Sequence, residues 1–365
     1  MAVYKIFPEK SATLYSYYPV LNTGLDEITE ISTFQSITST NESSRGIIKF
    51  PTDELNDIIL NKVSSSNFDA YLKYTLAYAS ELPLNYTIYC HPLASSWDVG
   101  VGRLSNSPMT VDGVSWIYTD ILSGSAWFLN NTFPTGTTGS YQSGSTPGGG
   151  LWYSSSLYTA TQSFTNITSK NIELKVSNII HGWYSSSINN NGFVVKHNPN
   201  IEFTTASKFE TKYFTGNTHT IYPPCLEIRW NDYIRSSSLQ TATSDNIVAS
   251  IGNNIGEYQQ DSVQRFRVNV RDKFPVRMFQ TSSVYLDNKI LPSSSYWSIK
   301  DLDTEEIIVD YDTIYTKISA DNNSNYFDVY MNGLEPERYY QILIKTTIGN
   351  STLVLDNNYY FKVIR

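Results

Sequence analysis

Charge is scarce in this sequence. Only 16% of its 365 residues are Asp, Glu, Lys or Arg, against roughly a quarter in an average soluble domain, so the surface has to be built from Ser, Thr, Asn and Tyr. The charges that exist are 26 basic and 34 acidic, a net of −8, and no basic run occurs anywhere. That excludes the Lys- and Arg-rich face that a direct nucleic-acid partner demands. Cysteine is almost missing. Cys90 and Cys225 allow at most one bridge, which rules out a disulfide framework, fits assembly in a reducing compartment, and leaves both as buried small hydrophobes. The start, Met1-Ala-Val-Tyr-Lys-Ile-Phe-Pro8, has no apolar stretch of the kind that directs secretion, and nowhere do about eighteen apolar residues run uninterrupted. Neither that export route nor a membrane span is expected, and the several Asn-x-Ser/Thr triplets then carry no glycosylation signal.

What is present is aromatic and β-prone. The chain has 28 Tyr, 16 Phe and 7 Trp, with 40% hydrophobic residues overall, which excludes disorder. Thr, Tyr, Val and Ile suit a pleated, half-buried surface, while the helix formers Lys, Glu and Ala are thin. The expected class is all-β. The length favours two domains, placed here at 1–235 and 257–365, with the polar stretch 236–256 as linker. In the first, Ala12 to Tyr18 and Ile28 to Phe34 read as strands around the turn Asn22-Thr-Gly24, followed by a polar loop from Thr38 to Ser44. Arg45-Gly-Ile-Ile-Lys-Phe50 reads as a core strand before a short helix carrying Leu55, Ile58, Ile59 and Val63. Ala70 to Tyr78 and Tyr86 to Leu93 look like an antiparallel pair, and Ser177 can cap a helix that turns Ile179, Ile180 and Trp183 inward. Residues 95–160 form a Gly-, Ser- and Thr-rich insertion holding Trp97, Trp116, Trp127 and Trp152, expected to staple loops to the sandwich through large rings with few torsions. The second domain offers about seven short strands, Ser283-Val-Tyr-Leu286 among them.

Chemistry-bearing patterns are few. His91, His181, His197 and His219 lie far apart, none in a metal-ligand spacing. Gly100-Val-Gly102 follows no βαβ pattern and reads as a loop rather than a cofactor cradle. The acidic run Asp301-Leu-Asp-Thr-Glu-Glu306 with Asp310 and Asp312 offers oxygen ligands without the calcium-loop order, and reads as a solvated hairpin turn. No nucleophile and base, acid/base pair or metal cluster can be assigned, so the expectation is a protein without catalytic residues, cofactor or metal. The one sharp functional idea is a sugar-stacking or subunit-contact platform using Trp127 and Trp152.

Several stretches resemble known families. Ala12-Thr-Leu-Tyr15 with Asn22-x-Gly24, Ile47-Ile-Lys-Phe50, Trp97-Asp-Val-Gly100, Gly182-Trp183 with Asn191-Gly-Phe-Val194, and Pro224-Cys-Leu-Glu-Ile228 resemble the DNRLRE-type jelly roll, related to carbohydrate-binding sandwiches, although the DNRLRE signature itself is absent. Leu334-Glu-Pro336 followed by Tyr340 resembles fibronectin-type and immunoglobulin-like sandwiches, in which a tyrosine corner pins a crossing to the sheet. Met1 to Pro8, Thr218 to Pro224 with Leu226 to Trp230, Ile299 to Thr304, and Tyr326 to Tyr340 together resemble virion structural proteins of contractile-tailed cyanophages. That resemblance implies a non-enzymatic virion component, assembled in the host bacterial cytoplasm, whose partners are other structural proteins of head, neck or tail, in multiple copies per particle. The alternative is a glycan-binding adhesin contacting the host surface.

Overall fold

The computed structural model describes residues 2–35, 41–63, 67–128, 132–139, 147–203, 208–274 and 287–365. It is 45% strand and 9% helical, an all-β protein built of β-sandwich sheets that are antiparallel except where Glu257–Gln259 runs parallel to Ser351–Ile364. Alternation of apolar and polar side chains explains the strands: Phe68, Ala70, Leu72 and Tyr74 are buried while Asp69, Tyr71 and Lys73 are not. Two compact units emerge, one from Ile6–Lys62 and Asp69–Glu227, the other from Met1–Lys5, Val63–Phe68 and Ile228–Arg365.

In the first unit a large curled sheet runs Ala160–Thr165, Asn85–Pro92, Phe193–His197, Asn41–Lys49, Ile28–Gln35, Phe209–Phe214, Leu76–Ser80, with Lys10–Tyr15 also paired to Asn41–Lys49. The strand expected to start at Arg45 therefore begins at Asn41, inside the stretch read as a polar loop. Asn85–Pro92 pairs with Ala160–Thr165 and Phe193–His197, and Phe68–Tyr74 pairs with Ile172–Lys175. The two segments expected to form an antiparallel pair thus take other partners, because strand partners are chosen by long-range packing and not by nearness in sequence. The helix Ser177–Tyr184 buries Ile179, Ile180 and Trp183, but Val176 occupies its N-cap. The Ser177 hydroxyl instead accepts from the Ala70 amide at 3.0 Å.

The turn at Asn22 is held from the insertion. Its side-chain amide donates to the carbonyls of Val99 and Val114, both at 2.8 Å, while its oxygen accepts from Gly102 N at 2.7 Å and Gly24 N at 3.2 Å. A Cβ at Gly24 would sit 2.1 Å from the Val99 carbonyl oxygen, so only glycine lets the two backbones approach. Gly100-Val-Gly102 is accordingly a packed loop.

In the second unit one sheet runs Ile247–Ile251, Val263–Asp272, Asn325–Tyr330, Ser319–Ala320, and another runs Glu257–Gln259, Ser351–Ile364, Tyr339–Ile348, Ser295–Asp301, Ile307–Val309. Their shared core includes Phe266, Trp297, Phe327, Ile342 and Phe361, with Trp297 stacked on Phe327 at 5.1 Å. The supposed linker 236–256 is part of this unit. Ile247–Ile251 pairs with Val263–Asp272, and Ala242, Ile247, Ala249 and Ile251 join the core. The few apolar residues of that stretch sit at period two among Ser, Asn and Asp, so an edge strand reads as a tether. The boundary falls near residue 228, earlier than the expected 235. The expected strand Ser283–Leu286 lies outside the described residues.

Candidate functional site

Trp127 and Trp152 are 3% and 4% exposed, so neither offers a ring face to a sugar or a partner. With Trp97, Trp116, Val114, Leu151 and Leu93 they form a core over Ala12, Leu14, Ile47 and Val194 of the large sheet. The Trp127 indole N–H donates to the Ser115 carbonyl at 2.9 Å. Aromatic density marked these residues, but irregular backbone has no period from which inward and outward rings can be told apart.

Beneath these rings lies an ionic cluster that the sequence did not announce. Arg45, Lys196 and Glu202 are all fully buried. Arg45 grips Glu202 with two bonds, Nε to Oε1 at 2.8 Å and Nη2 to Oε2 at 3.1 Å, and its Nη1 donates to the Gly149 carbonyl at 2.6 Å. Lys196 Nζ donates to Glu202 Oε2 at 2.7 Å. The guanidinium lies 4.8 Å from the Trp116 ring centre and 5.3 Å from that of Trp152, and His91 stacks on Trp152 at 5.6 Å. Gly149 takes a φ of +77° there, and a Cβ on it would meet Arg45 Nη1 at 2.5 Å. Two cations share one carboxylate. Burial would raise the Glu202 carboxyl, but the charges and hydrogen bonds of Arg45 and Lys196 overcome it and hold the group at about 2. Lys196 bears the cost of the surplus positive charge, burial lowering it to about 8 against the pull of Glu202. Burial likewise lowers His91 to about 3 and His197 to about 4. A partial signal was present: Arg45 stands just before Ile47 and Ile48, and Lys196 follows Phe193-Val-Val195, and a charge that such apolar neighbours draw into the core needs a partner.

Tyr340 is buried, and its hydroxyl donates to the Glu335 carbonyl at 2.9 Å, between Leu334, also buried, and Pro336. Tyr340→Phe keeps the ring packing and strands that acceptor. We expect a loss of about 1–3 kcal/mol in unfolding of this unit, read by urea titration; an unchanged midpoint would remove the hydroxyl from the account. The acidic run is partly committed as well. Asp301 is buried, takes two bonds from Arg338 at 2.6 and 2.8 Å and accepts from the amides of Asp303 and Thr304. Among the described residues no three His, Cys, Asp or Glu side chains converge as a metal site would require, and no helix is long and apolar enough to cross a membrane.

An open groove remains, on the face of the first unit's large sheet that points away from its core. Along Ile28–Gln35 and Phe209–Phe214 the buried Ile31, Thr211 and Tyr213 alternate with the partly exposed Glu30, Glu210 and Lys212, which line the groove together with the buried Ser32. Two adjoining hollows of about 410 and 540 Å³ share Tyr15, Glu30 and Leu104. Glu30 accepts from Ser32 Oγ at 2.7 Å and from the Tyr15 hydroxyl at 3.4 Å, and Lys212 Nζ stands 3.8 Å away. Burial raises both the Glu30 and Asp26 carboxyls. At one end Tyr17 and Tyr18, each about 40% exposed, meet edge to face at 4.7 Å, and Tyr17 leans on Phe34 at 6.0 Å. Sequence reading passed over this site because its residues come from separate strands and one loop, with no local motif.

No protein-family model and no curated protein matches the chain. Among solved structures, the adhesin domain of Epf from Streptococcus pyogenes aligns at 10% identity over 98% of each chain with a TM-score of 0.19. A DUF4785 family protein from Legionella pneumophila aligns at 9% identity over 98% of this chain and 65% of that one, with a TM-score of 0.17. At these TM-scores neither likeness establishes a shared fold.

Proposed function

We propose that this chain is a non-enzymatic structural component of a tailed-phage particle, decorating or connecting head, neck or tail parts through subunit contacts. The observation that carries the reading is the use made of the strongest chemistry in the first unit: Arg45, Lys196 and Glu202 are sealed under Trp116 and Trp152 and bind the Gly149 backbone. They fasten a long insertion to a sheet and touch no solvent, as shape-holding requires and turnover does not. The exterior supports it too. Leu84, Leu122 and Ile167 are exposed by 72, 76 and 89% on a weakly charged surface rich in Tyr, Ser and Asn, which costs little to desolvate in a contact with another subunit. The resemblance noted above, which spans both units, supplies the particle. Mass spectrometry of purified particles should find the intact chain in several to many copies, and a particle map should show it against protein neighbours. Absence from particles, or a position with no protein neighbour, would overturn the reading. The adhesin alternative, as first framed on Trp127 and Trp152, has lost its platform.

A further inference from the structure

We propose that the outer groove of the first unit binds a neutral oligosaccharide, held between the ring faces of Tyr17 and Tyr18 and the carboxylates of Glu30 and Asp26. This inference is independent of the particle reading, since it rests on one surface of one unit. Three properties of the groove select the ligand. First, its charges are of both signs with acids in excess: the two hollows together hold Asp26, Glu27, Glu30, Glu81 and Glu210 against Arg103, Lys208 and Lys212. An anion would meet five carboxylates, and a cation would meet three bases, so an uncharged ligand avoids both repulsions. Secondly, the carboxylates are desolvated but incompletely engaged. Among the described residues Glu30 takes two hydroxyl donors, with Lys212 Nζ 3.8 Å away, and Asp26 takes the Leu104 amide at 3.1 to 3.2 Å. Lone pairs remain for hydroxyl donors, and hydrogen bonds to charged acceptors are the strong kind. Lys212 supplies donors on the same wall. Thirdly, aromatic rings stand at the open end, and a ring face matches the apolar C–H face of a pyranose while its rim leaves the hydroxyls free for the polar wall. Metal is a poor occupant, since no three acidic or His side chains converge among the described residues.

The adjoining hollows, about 410 and 540 Å³, fall in the size range of small-molecule sites and together suit a chain of several sugars better than a single one. Affinity for such an open site should be modest, with Kd on the order of a millimolar.

The test is saturation-transfer difference NMR on the full chain with maltohexaose, cellohexaose and mannohexaose, and with hexagalacturonate as the anionic comparison. At least one neutral hexaose should receive saturation. Its affinity should fall tenfold or more in the Tyr17→Ala/Tyr18→Ala variant and severalfold in Glu30→Gln, while Tyr340→Phe, in the other unit, should bind as the parent does. Tyr17 and Tyr18 are surface residues, so circular dichroism should show both groove variants folded. No transfer to any neutral hexaose overturns the proposal, and so does binding that survives loss of both tyrosines. Tighter binding of hexagalacturonate than of every neutral chain would overturn the charge argument. Failure here leaves the particle experiment untouched, and absence from particles would leave sugar binding to stand or fall on its own.

Discussion

Replacing Glu202 with Gln is expected to cost about 3–5 kcal/mol of the first unit's stability, the range for breaking a buried ion pair from one side. The substitution keeps the shape and removes the charge, so Arg45 and Lys196, both fully buried, are left as two cations repelling each other in a low-dielectric interior. Among their partners in the described residues are the carbonyls of Gly149 and His197 and aromatic faces, and none of these carries the negative charge of the carboxylate. The cost propagates to the insertion, because Arg45 holds the Gly149 carbonyl only while Glu202 fixes its guanidinium. Lys196→Met should behave differently. It removes the surplus cation and leaves the two-bond Arg45–Glu202 pair intact, so a change within about 1.5 kcal/mol in either direction is expected. Guanidinium titration followed by tryptophan fluorescence separates the two variants, the transition being assigned to the unit that holds Trp116 and Trp152. Equal midpoints for Glu202→Gln and the parent would show that the cluster contributes no net electrostatic stability.

The same unit should lose stability steeply in mild acid. His91 and His197 are held neutral by burial, at about 3 and about 4, whereas in the unfolded chain each titrates near 6.5. Between about pH 6.5 and 4 these two imidazoles therefore bind up to two more protons in the unfolded state than in the folded one. Stability rises with pH most clearly above about 5, because the raised carboxyls of Glu30 and Asp26 act with the opposite sign at the lower end of the window. The slope approaches about 2–3 kcal/mol per pH unit at its steepest. Below about 4.5 Glu202 adds to it with the same sign, since its carboxylate persists to about 2 in the folded protein and protonates earlier in the unfolded chain. His197 illustrates the cause. Its Nε2 faces the Ile31 carbonyl at 3.1 Å, which places the proton there, while Nδ1 has no acceptor to receive a second one. Phe209 and Tyr86 pack around the ring and offer no counter-charge. Thermal melts from pH 7.5 to 4.5 should show a falling midpoint, and His91→Gln or His197→Gln should each flatten the curve by about half. A midpoint independent of pH across that range would show that the two imidazoles are not held neutral by the fold.

The contrast between Arg45 and Trp152 shows how much of the site was legible. Both lie in the same cluster, and both were visible as types. A tryptophan in an irregular segment signals burial somewhere, and the stapling role followed from that; its neighbours did not, since the ring meets His91, Arg45 and Lys196 through three different strands. Arg45 stands in a run that reads as a core strand, and a charge inside such a run implies a hidden partner. Glu202, the partner, is 157 residues away in sequence, beyond any local pattern. The groove was less legible still. Glu30 and Lys212 read as ordinary outward residues on two strands, and only the pairing of Ile28–Gln35 with Phe209–Phe214 sets Glu30 beside Lys212.

Composition and periodicity determined by themselves that this chain is all-β, that its surface is weakly charged, and that its insertion is held by aromatic side chains, because each of these depends on residue type and on neighbours within a few positions. Strand partners, the place where one unit yields to the other, the sealed ionic cluster and the tyrosine-rimmed groove were decided only in the tertiary structure. They depend on which distant segments meet, and in a β-protein most stabilising contacts are made between such segments.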